Sequence, residues 1–385
     1  HVDLQRRAAS RDREPLAAVL LAEADGSTLR AALDAPKGRR ATRRSAPTFH
    51  AIGVSTTVAP SEPILVRARV SGTWTPWTEL EFEPDEAPDP GREASRAGAG
   101  AHSEPVWLGD ADAYELDAPE AVGGLDVHLV GDGQAQRSVE LSAPAAGAAG
   151  APAILLRSAW GAQPPAEHPA VSRDLKLAVV HHSVNSNSYT ASQVPELLRS
   201  IQAYHQGVQG WNDFAYNFAV DRFGRVWEGR AGGVDQVVLG GHARGFNTGT
   251  TGVVVLGDFR SSAVPAASLE AVAQVIAWKF ALHRVDPAST TPFMSAGSAK
   301  YAAGTTVTLP RVVGHRDVQS TDCPGAALYS RLGTIRARVA QLVPSFQQGV
   351  APQLLATDST GDGRLEPIEY RPGTSGDGQW TVGAA

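Results

Sequence analysis

The chain is nearly without cysteine: Cys323 is the single thiol among 385 residues. One thiol excludes an intrachain disulfide framework. Two readings remain for it, a buried and inert side chain or a group kept for chemistry. Long apolar runs are also missing. No stretch approaches the roughly 20 apolar residues that a membrane-spanning helix requires, so no membrane span is expected. Charge of one sign is not in excess, since 34 Lys and Arg against 40 Asp and Glu leave a net charge of −6. A dedicated nucleic-acid binder carries a basic surface, so no nucleic-acid partner is expected. The chain opens on His1, and nothing near it resembles a secretory signal with an apolar core. The numbered sequence reads as a processed or trimmed form.

What is present divides the chain into pieces, as its length requires. The run LSAPAAGAAGAPA, Leu141 to Ala153, is small, Pro-containing and aperiodic, and reads as a linker. Before it, PILVRARV, WTELEFE and LDVHLVG alternate or carry β-branched residues between turn-forming clusters. That pattern predicts an all-β sandwich-like domain. The basic run KGRRATRRS before this domain reads as a solvated, frayed arm, and Pro84 to His102 as a loop inside it. Trp74 and Trp77 read as core or turn aromatics rather than a platform for sugars.

After the linker the pattern changes. LKLAVVHH and TGVVVLGDF are buried-strand candidates, and YNFAVDRFGRVWEGR reads as a hairpin turning at Asp221–Gly224. ASQVPELLRSIQAYHQ has helical spacing at Val194, Leu197, Leu198 and Ile201. SLEAVAQVIAWKFALHR predicts a helix with Ser268 as its N-cap, and GAALYSRLGTIRARVAQLV a final helix stopping at Pro344. The fold class is therefore α/β, a mixed β-sheet with flanking helices, preceded by the sandwich-like domain. The expected boundaries are an arm at 1–45, the β-sandwich at 46–142, a linker at 143–153, the α/β domain at 154–343 and a tail at 344–385.

Three side chains in the α/β region could share a metal. His181 ends the strand LKLAVV, His315 ends RVV, and Cys323 follows eight residues later. Two imidazoles and a thiolate suit Zn²⁺, and three protein ligands leave a fourth position open, the catalytic arrangement. Spacing over some 140 residues does not make a motif by itself. The words around these residues do: VVHHS, GWNDFAYNFAVDRFGRVWEGR, GGHARGFNTGTTGVVVLGDF and GHRDVQSTDCPG occur in that order.

These four segments resemble the peptidoglycan recognition protein family, which shares its fold with the zinc N-acetylmuramoyl-L-alanine amidases. The resemblance runs from Arg157 to about Leu342 and leaves out the first 150 residues and the tail. It implies a zinc enzyme in which His181, His315 and Cys323 are the ligands and His182 is a neighbour. It implies that Tyr216 stands beside the reacting water. It assigns Thr321 to a second catalytic position, where phage-type members carry lysine and catalytic animal members threonine; Asp322 reads as a loop cap. It places His205, His242, Arg244 and Asn247 in a groove for the muramyl-peptide of peptidoglycan. Glu228 reads as structural, beside Arg230. Many family members have lost that cysteine and only bind peptidoglycan; this sequence keeps it, which favours hydrolysis over the alternative of a non-catalytic recognition protein. The substrate implies an extracellular or cell-wall location.

The tail holds a second metal signal. DSTGDGRLEPIE fits the twelve-residue calcium loop, with Asp358, Thr360, Asp362, Arg364 through its carbonyl, and Glu369 as ligands, and Gly363 at the sharp turn. Calcium is accordingly a second expected cofactor.

Overall fold

The computed structural model describes residues 39–83, 86–89, 100–120, 122, 124–131 and 151–349, with short strands at 19–20, 354–357, 366–371 and 379–382. The N-terminal strands are β1 (Val19–Leu20), β2 (Arg39–Thr56), β3 (Ile64–Val70), β4 (Thr73–Trp74), β5 (Thr78–Leu80), β6 (Ala101–His102), β7 (Val106–Pro119) and β8 (Asp126–Val130). They form one hydrogen-bonded antiparallel sheet in the order β1-β8-β2-β7-β3-β4, with β5 on β3 and β6 on β2. In β3 the buried Ile64, Val66 and Ala68 alternate with Leu65, Arg67 and Arg69, the period of a strand with one face in a core. Register shifts around Phe49 interrupt the long β2–β7 pairing. Such bulges bend a strand and let one sheet close over Phe49, Ile52, Val66, Tyr114 and Leu116.

The basic run is not a solvated arm. Strand β2 begins at Arg39 and pairs with β7 from its first residue. Arg39 Nε donates to Asp117 Oδ1 at 2.8 Å. Arg43 and Arg67 both grip Glu115, which has no exposure at all. The acidic partners on β7 turn what looks like a charge run into cross-strand pairs. Trp74 and Trp77 are also not core residues. Trp74 is half-buried and Trp77 exposed, both under arginine, with the Arg67 guanidinium 5.3 Å from the ring centre of Trp74 and 4.7 Å from that of Trp77.

Most of the linker lies outside the described residues. The second domain starts with β9 (Ile154–Leu155), and continues with β10 (Leu177–His182), β11 (Phe218–Val220), β12 (Val226–Glu228), β13 (Thr250–Val255), the hairpin β14 (Thr290–Met294) and β15 (Thr306–Pro310), and β16 (Val312–Gly314). Its main sheet runs β16-β10-β13-β11-β12-β9, with the β11–β12 hairpin antiparallel and the remaining pairs parallel. Three helices cover it: α1 (Val194–Gly207), α2 (Ala266–Leu282) and α3 (Leu332–Gly349). Burial of each large apolar side chain here stabilises by about 1.5–3 kcal/mol. On one face Val180, Phe218, Val253 and Val255 pack under Trp278, Phe280 and Ile335. On the other, Val254 and Trp227 meet Leu197, Leu198 and Ile201 of α1.

Two helix limits differ from the expectation. Helix α2 starts before Ser268, whose hydroxyl donates to the carbonyl of Asp221 rather than capping. The last helix is broken into a turn at Ala326–Tyr329 and α3, and α3 runs through Pro344 to Gly349. The N-terminal domain joins the same core as α1: Ala51, Trp107 and Val130 pack in one cluster with Val194, Leu197 and Tyr204.

The tail is β-structure. β17 (Leu354–Thr357), β18 (Glu366–Arg371) and β19 (Gln379–Val382) form an antiparallel sheet. Glu369, the expected last calcium ligand, pairs along the backbone with Leu354 and Thr381. Strands therefore stand where a helix–loop–helix calcium site needs helices, and Asp358, Thr360, Asp362 and Arg364 lie outside the described residues. Nothing among the described residues of the tail supports the calcium expectation.

Candidate active site

Sheet register brings the three metal-ligand candidates together. In β10 and β16, Ala178 lies beside Val312, Val179 beside Val313 and Val180 beside Gly314. The next residue of each strand is a histidine, so His181 and His315 leave adjacent parallel strands at the same level, and their ring centres are 4.4 Å apart. Strand alternation separates the two histidines of HH. His181 turns toward His315 and Tyr216, whereas His182 turns the other way and its Nδ1 accepts from the amide of Phe259 at 3.2 Å. Cys323 returns on a loop pinned at both ends. The amide of Arg316 donates to the Cys323 carbonyl at 3.0 Å, and the Cys323 amide donates to Thr321 Oγ1 at 2.8 Å. Its Sγ then lies 3.7 Å from His181 Nδ1.

The donor atoms of His181, His315 and Cys323 all lie within 4.8 Å of one another, and all three residues are buried. A tetrahedral zinc with bonds of about 2.1 Å to nitrogen and 2.3 Å to sulfur separates such ligands by about 3.5 Å, close to the sulfur–nitrogen distance found. Both ring nitrogens of His315 are buried without a hydrogen-bond partner, a state that polar groups in folded proteins rarely keep without an ion or water. Burial, then repulsion from neighbouring imidazoles, holds His181 and His315 well below the usual histidine range. They are thus in the neutral form that ligates metal. Burial first, then the carboxyls of Glu86 and Glu83, pushes the Cys323 thiol well up; a bound dication reverses that preference by taking the thiolate directly. The donor set fits zinc.

His242 sits behind this group rather than on an open groove. It has no exposure, its Nδ1 is 3.0 Å from His181 Nε2, and burial followed by Arg230 lowers its pKa to about 3. Gly252 on β13 makes the room, since a Cβ there would collide with the His242 ring. His205, on α1, is equally buried, accepts from the amide of Ala215 at 3.2 Å and packs tilted against Trp211. Asn247 accepts from the amides of His242 and Ala243 at 2.8 and 2.9 Å, which fixes the loop holding His242. Arg244 is exposed on the same loop. Tyr216 packs its ring edge-on to His181, with centres 5.1 Å apart. Glu228 accepts from the amide of Arg157 at 3.1 Å instead of pairing with Arg230, and the carbonyl of Asp322 accepts from the amide of Gly325.

One set of residues had no place in the sequence reading. Glu81, Glu83, Glu86 and Glu104 of the N-terminal domain line a small cavity with Tyr216 and Cys323. Burial, opposed by Thr321, raises Glu83 to about 8; burial, opposed by Arg260, raises Glu81 to about 7; Glu86 is held well above the carboxylate range. The signal in the sequence is the density of acid and proline in EFEPDEAPDP, which overlaps the loop expected from Pro84 to His102.

Comparison with known proteins finds two family matches. The N-acetylmuramoyl-L-alanine amidase model matches residues 171–326, and the model described as Rv3811 N-terminal galactose-binding domain-like matches residues 6–148. Peptidoglycan-recognition protein LB of Drosophila melanogaster is 27% identical over 214 residues, which cover 52% of this chain and 82% of that protein. The N-acetylmuramoyl-L-alanine amidase of Homo sapiens is 31% identical over 231 residues, covering 58% of this chain and 34% of the human protein. Among solved structures, wild-type Drosophila PGRP-LB is 28% identical over 47% of this chain and 92% of that one, with a TM-score of 0.38.

Proposed function

Because its C-terminal domain belongs to the family of N-acetylmuramoyl-L-alanine amidases and peptidoglycan-recognition proteins, we propose that this chain is a zinc-dependent hydrolase of the amide between N-acetylmuramic acid and L-alanine in bacterial peptidoglycan. The observation that carries the reading is the buried convergence of His181, His315 and Cys323 beside Tyr216. A relative that only binds the wall has no need to keep a thiolate ligand.

Zinc held by these three residues would polarise the lactyl carbonyl and make water acidic enough to attack near neutral pH. The protein's own groups then do the rest. The neutral imidazoles keep the site uncharged until the metal arrives. His242 fixes the orientation of the His181 ring from behind, as outer partners of metal ligands do. The Tyr216 hydroxyl, once free of Glu86, would donate a hydrogen bond to the oxyanion that forms as the carbonyl becomes tetrahedral. Thr321, on the ligand loop beside Cys323, offers a second hydroxyl but no positive charge. Exposed Arg244 can pair with a stem-peptide carboxylate. Such a substrate places the protein outside the membrane, secreted or bound to the wall.

The test combines metal content with release of stem peptide from purified peptidoglycan. Stoichiometric zinc, chelator-sensitive release that leaves free lactyl groups on the glycan, and loss of both in Cys323→Ser are the expected results. Tight binding to the wall with no release, indifferent to zinc, sinks the enzyme and leaves a recognition module.

A further inference from the structure

The segment that follows β5 does not stay with its own domain. Its described residues, Glu81 to Glu83 and Glu86 to Asp89, lie along the site of the other domain and engage it group by group. Thr321 Oγ1 donates to Glu83 at 2.6 Å, and the Tyr216 hydroxyl donates to Glu86. Asn247 Nδ2 donates to the Ala87 carbonyl at 2.8 Å and to Asp89 Oδ1 at 2.9 Å. The amide of Gly245 and the hydroxyl of Thr248 donate to Asp89 at 2.7 and 3.0 Å. Arg260 clamps the near end through Glu81 at 3.0 Å. Glu86 and Asp89 are each 3% exposed, so this is a seated contact.

The consequence is steric as well as polar. A disaccharide-peptide has to reach Tyr216, Thr321 and the Asn247 loop, and each of them already donates to the strap. The metal-ligand residues are sealed beneath it, with His181 and His315 at 0% exposure and Cys323 at 2%. The occupant is an acidic chain whose carbonyl and carboxylate oxygens meet the donors that a carboxylated stem peptide would use. We propose that the described residues 81–83 and 86–89 form an autoinhibitory strap, an internal occupant of the amidase groove that keeps the enzyme latent until it lifts.

The inference rests on the amidase reading for its meaning but is tested separately from it. The full chain is compared with a Glu83→Ala, Glu86→Ala, Asp89→Ala triple variant and with Asp89→Ala alone, which leaves the carboxyls near Cys323 in place. Three quantities are read: alkylation of Cys323 by iodoacetamide in the metal-free protein, binding of a soluble muramyl tripeptide by calorimetry, and peptide release by the zinc-loaded protein. A closed strap lowers apparent affinity by the fraction of molecules that are open. The triple variant is expected to alkylate and to bind at least ~10-fold better than the full chain, with Asp89→Ala in between. Equal alkylation and equal binding in all three proteins overturn the strap. Weaker binding by the variants also overturns it, making these carboxyls substrate contacts. A variant that binds better and exposes Cys323 but releases no peptide upholds the strap and sinks the amidase. Release that is lost in Cys323→Ser yet unchanged in the strap variants does the reverse.

Discussion

The two walls of the site are built on opposite principles. The wall from the α/β domain carries two neutral imidazoles at the ends of paired strands, brought level by register, and a thiol on a loop hydrogen-bonded beside them. The wall from the N-terminal domain carries Glu81, Glu83 and Glu86 on a stretch that belongs to no strand or helix. One is rigid and tuned to receive a cation. The other crowds like charges, holds them by hydrogen bonds to the first, and gives each of them a reason to leave. A site assembled this way separates the machinery from its access control.

The comparison is sharpened most by His242, which belongs to the rigid wall although its motif points to the groove. The hydrogen-bond partners of its ring among the described residues are His181 and Thr250, at 3.0 and 3.5 Å. If it supports the ligand, His242→Ala weakens zinc affinity about 10-fold or more and leaves the affinity of the zinc-loaded protein for muramyl-peptide unchanged. A metal titration beside a peptide titration decides it. Peptide affinity falling while zinc affinity holds returns His242 to the groove.

The same contrast explains what was legible in the sequence. His181 and His315 were readable because each ends a short apolar run, and strand ends in a parallel sheet come level. The choice of His181 over His182 came with the family resemblance; a period of two explains only why the two rings face opposite ways. Cys323 was readable through the CPG turn and its neighbours. The strap was not, because its bonds join residues 130 to 238 positions apart, and nothing in EFEPDEAPDP reports what it lies against. The arginine run failed for a related reason. Its acidic partners sit some 70 residues on, in β7, and a charge run looks solvated until its cross-strand neighbours are known. The calcium expectation found no support, because a local match of a dozen residues carries no information about the strands on either side.

A second test uses pH to push on the acidic wall alone. Glu81 and Glu83 have folded pKa values of about 7 and about 8, above their ordinary value of 4.5. Glu83 faces Thr321, Glu81, Glu104 and Asp322; Glu81 faces Arg260, Asp258, Glu79 and Asp322. The folded state binds these protons more tightly than the unfolded chain, so their contribution is complete below about pH 4.5 and is lost as pH rises through 7 and 8. The Tm of the metal-free protein is expected to fall by about 5 °C from pH 6 to pH 9. Glu81→Gln together with Glu83→Gln should flatten that slope. A Tm that rises over the interval, or a slope the double variant leaves intact, assigns the dependence elsewhere.

The smallest effect concerns the arginines of β2, far from the site, and it separates a paired strand from an arm. Arg39 has several acceptors: Asp117 Oδ1 at 2.8 Å, the carbonyls of Pro63 and Asp117 at 2.8 and 3.0 Å, and Glu62 at 3.6 Å. Asp117→Asn removes one charge and keeps a carbonyl oxygen in its place, so the guanidinium stays bound. The expected cost is about 0.5 kcal/mol, the scale of a partly exposed pair, seen as a small drop in the urea midpoint with an unchanged slope. Glu115 is the control within the same two strands. It is fully buried and grips Arg43 and Arg67 at once, so Glu115→Gln leaves two cations around an uncharged amide and should cost about 3 kcal/mol. If the run were a solvated arm, both substitutions would be silent. If the pairs are what hold β2 against β7, the two costs differ several-fold, and hydrogen exchange at Ala41 to Ser45 speeds up in the second variant well before global unfolding.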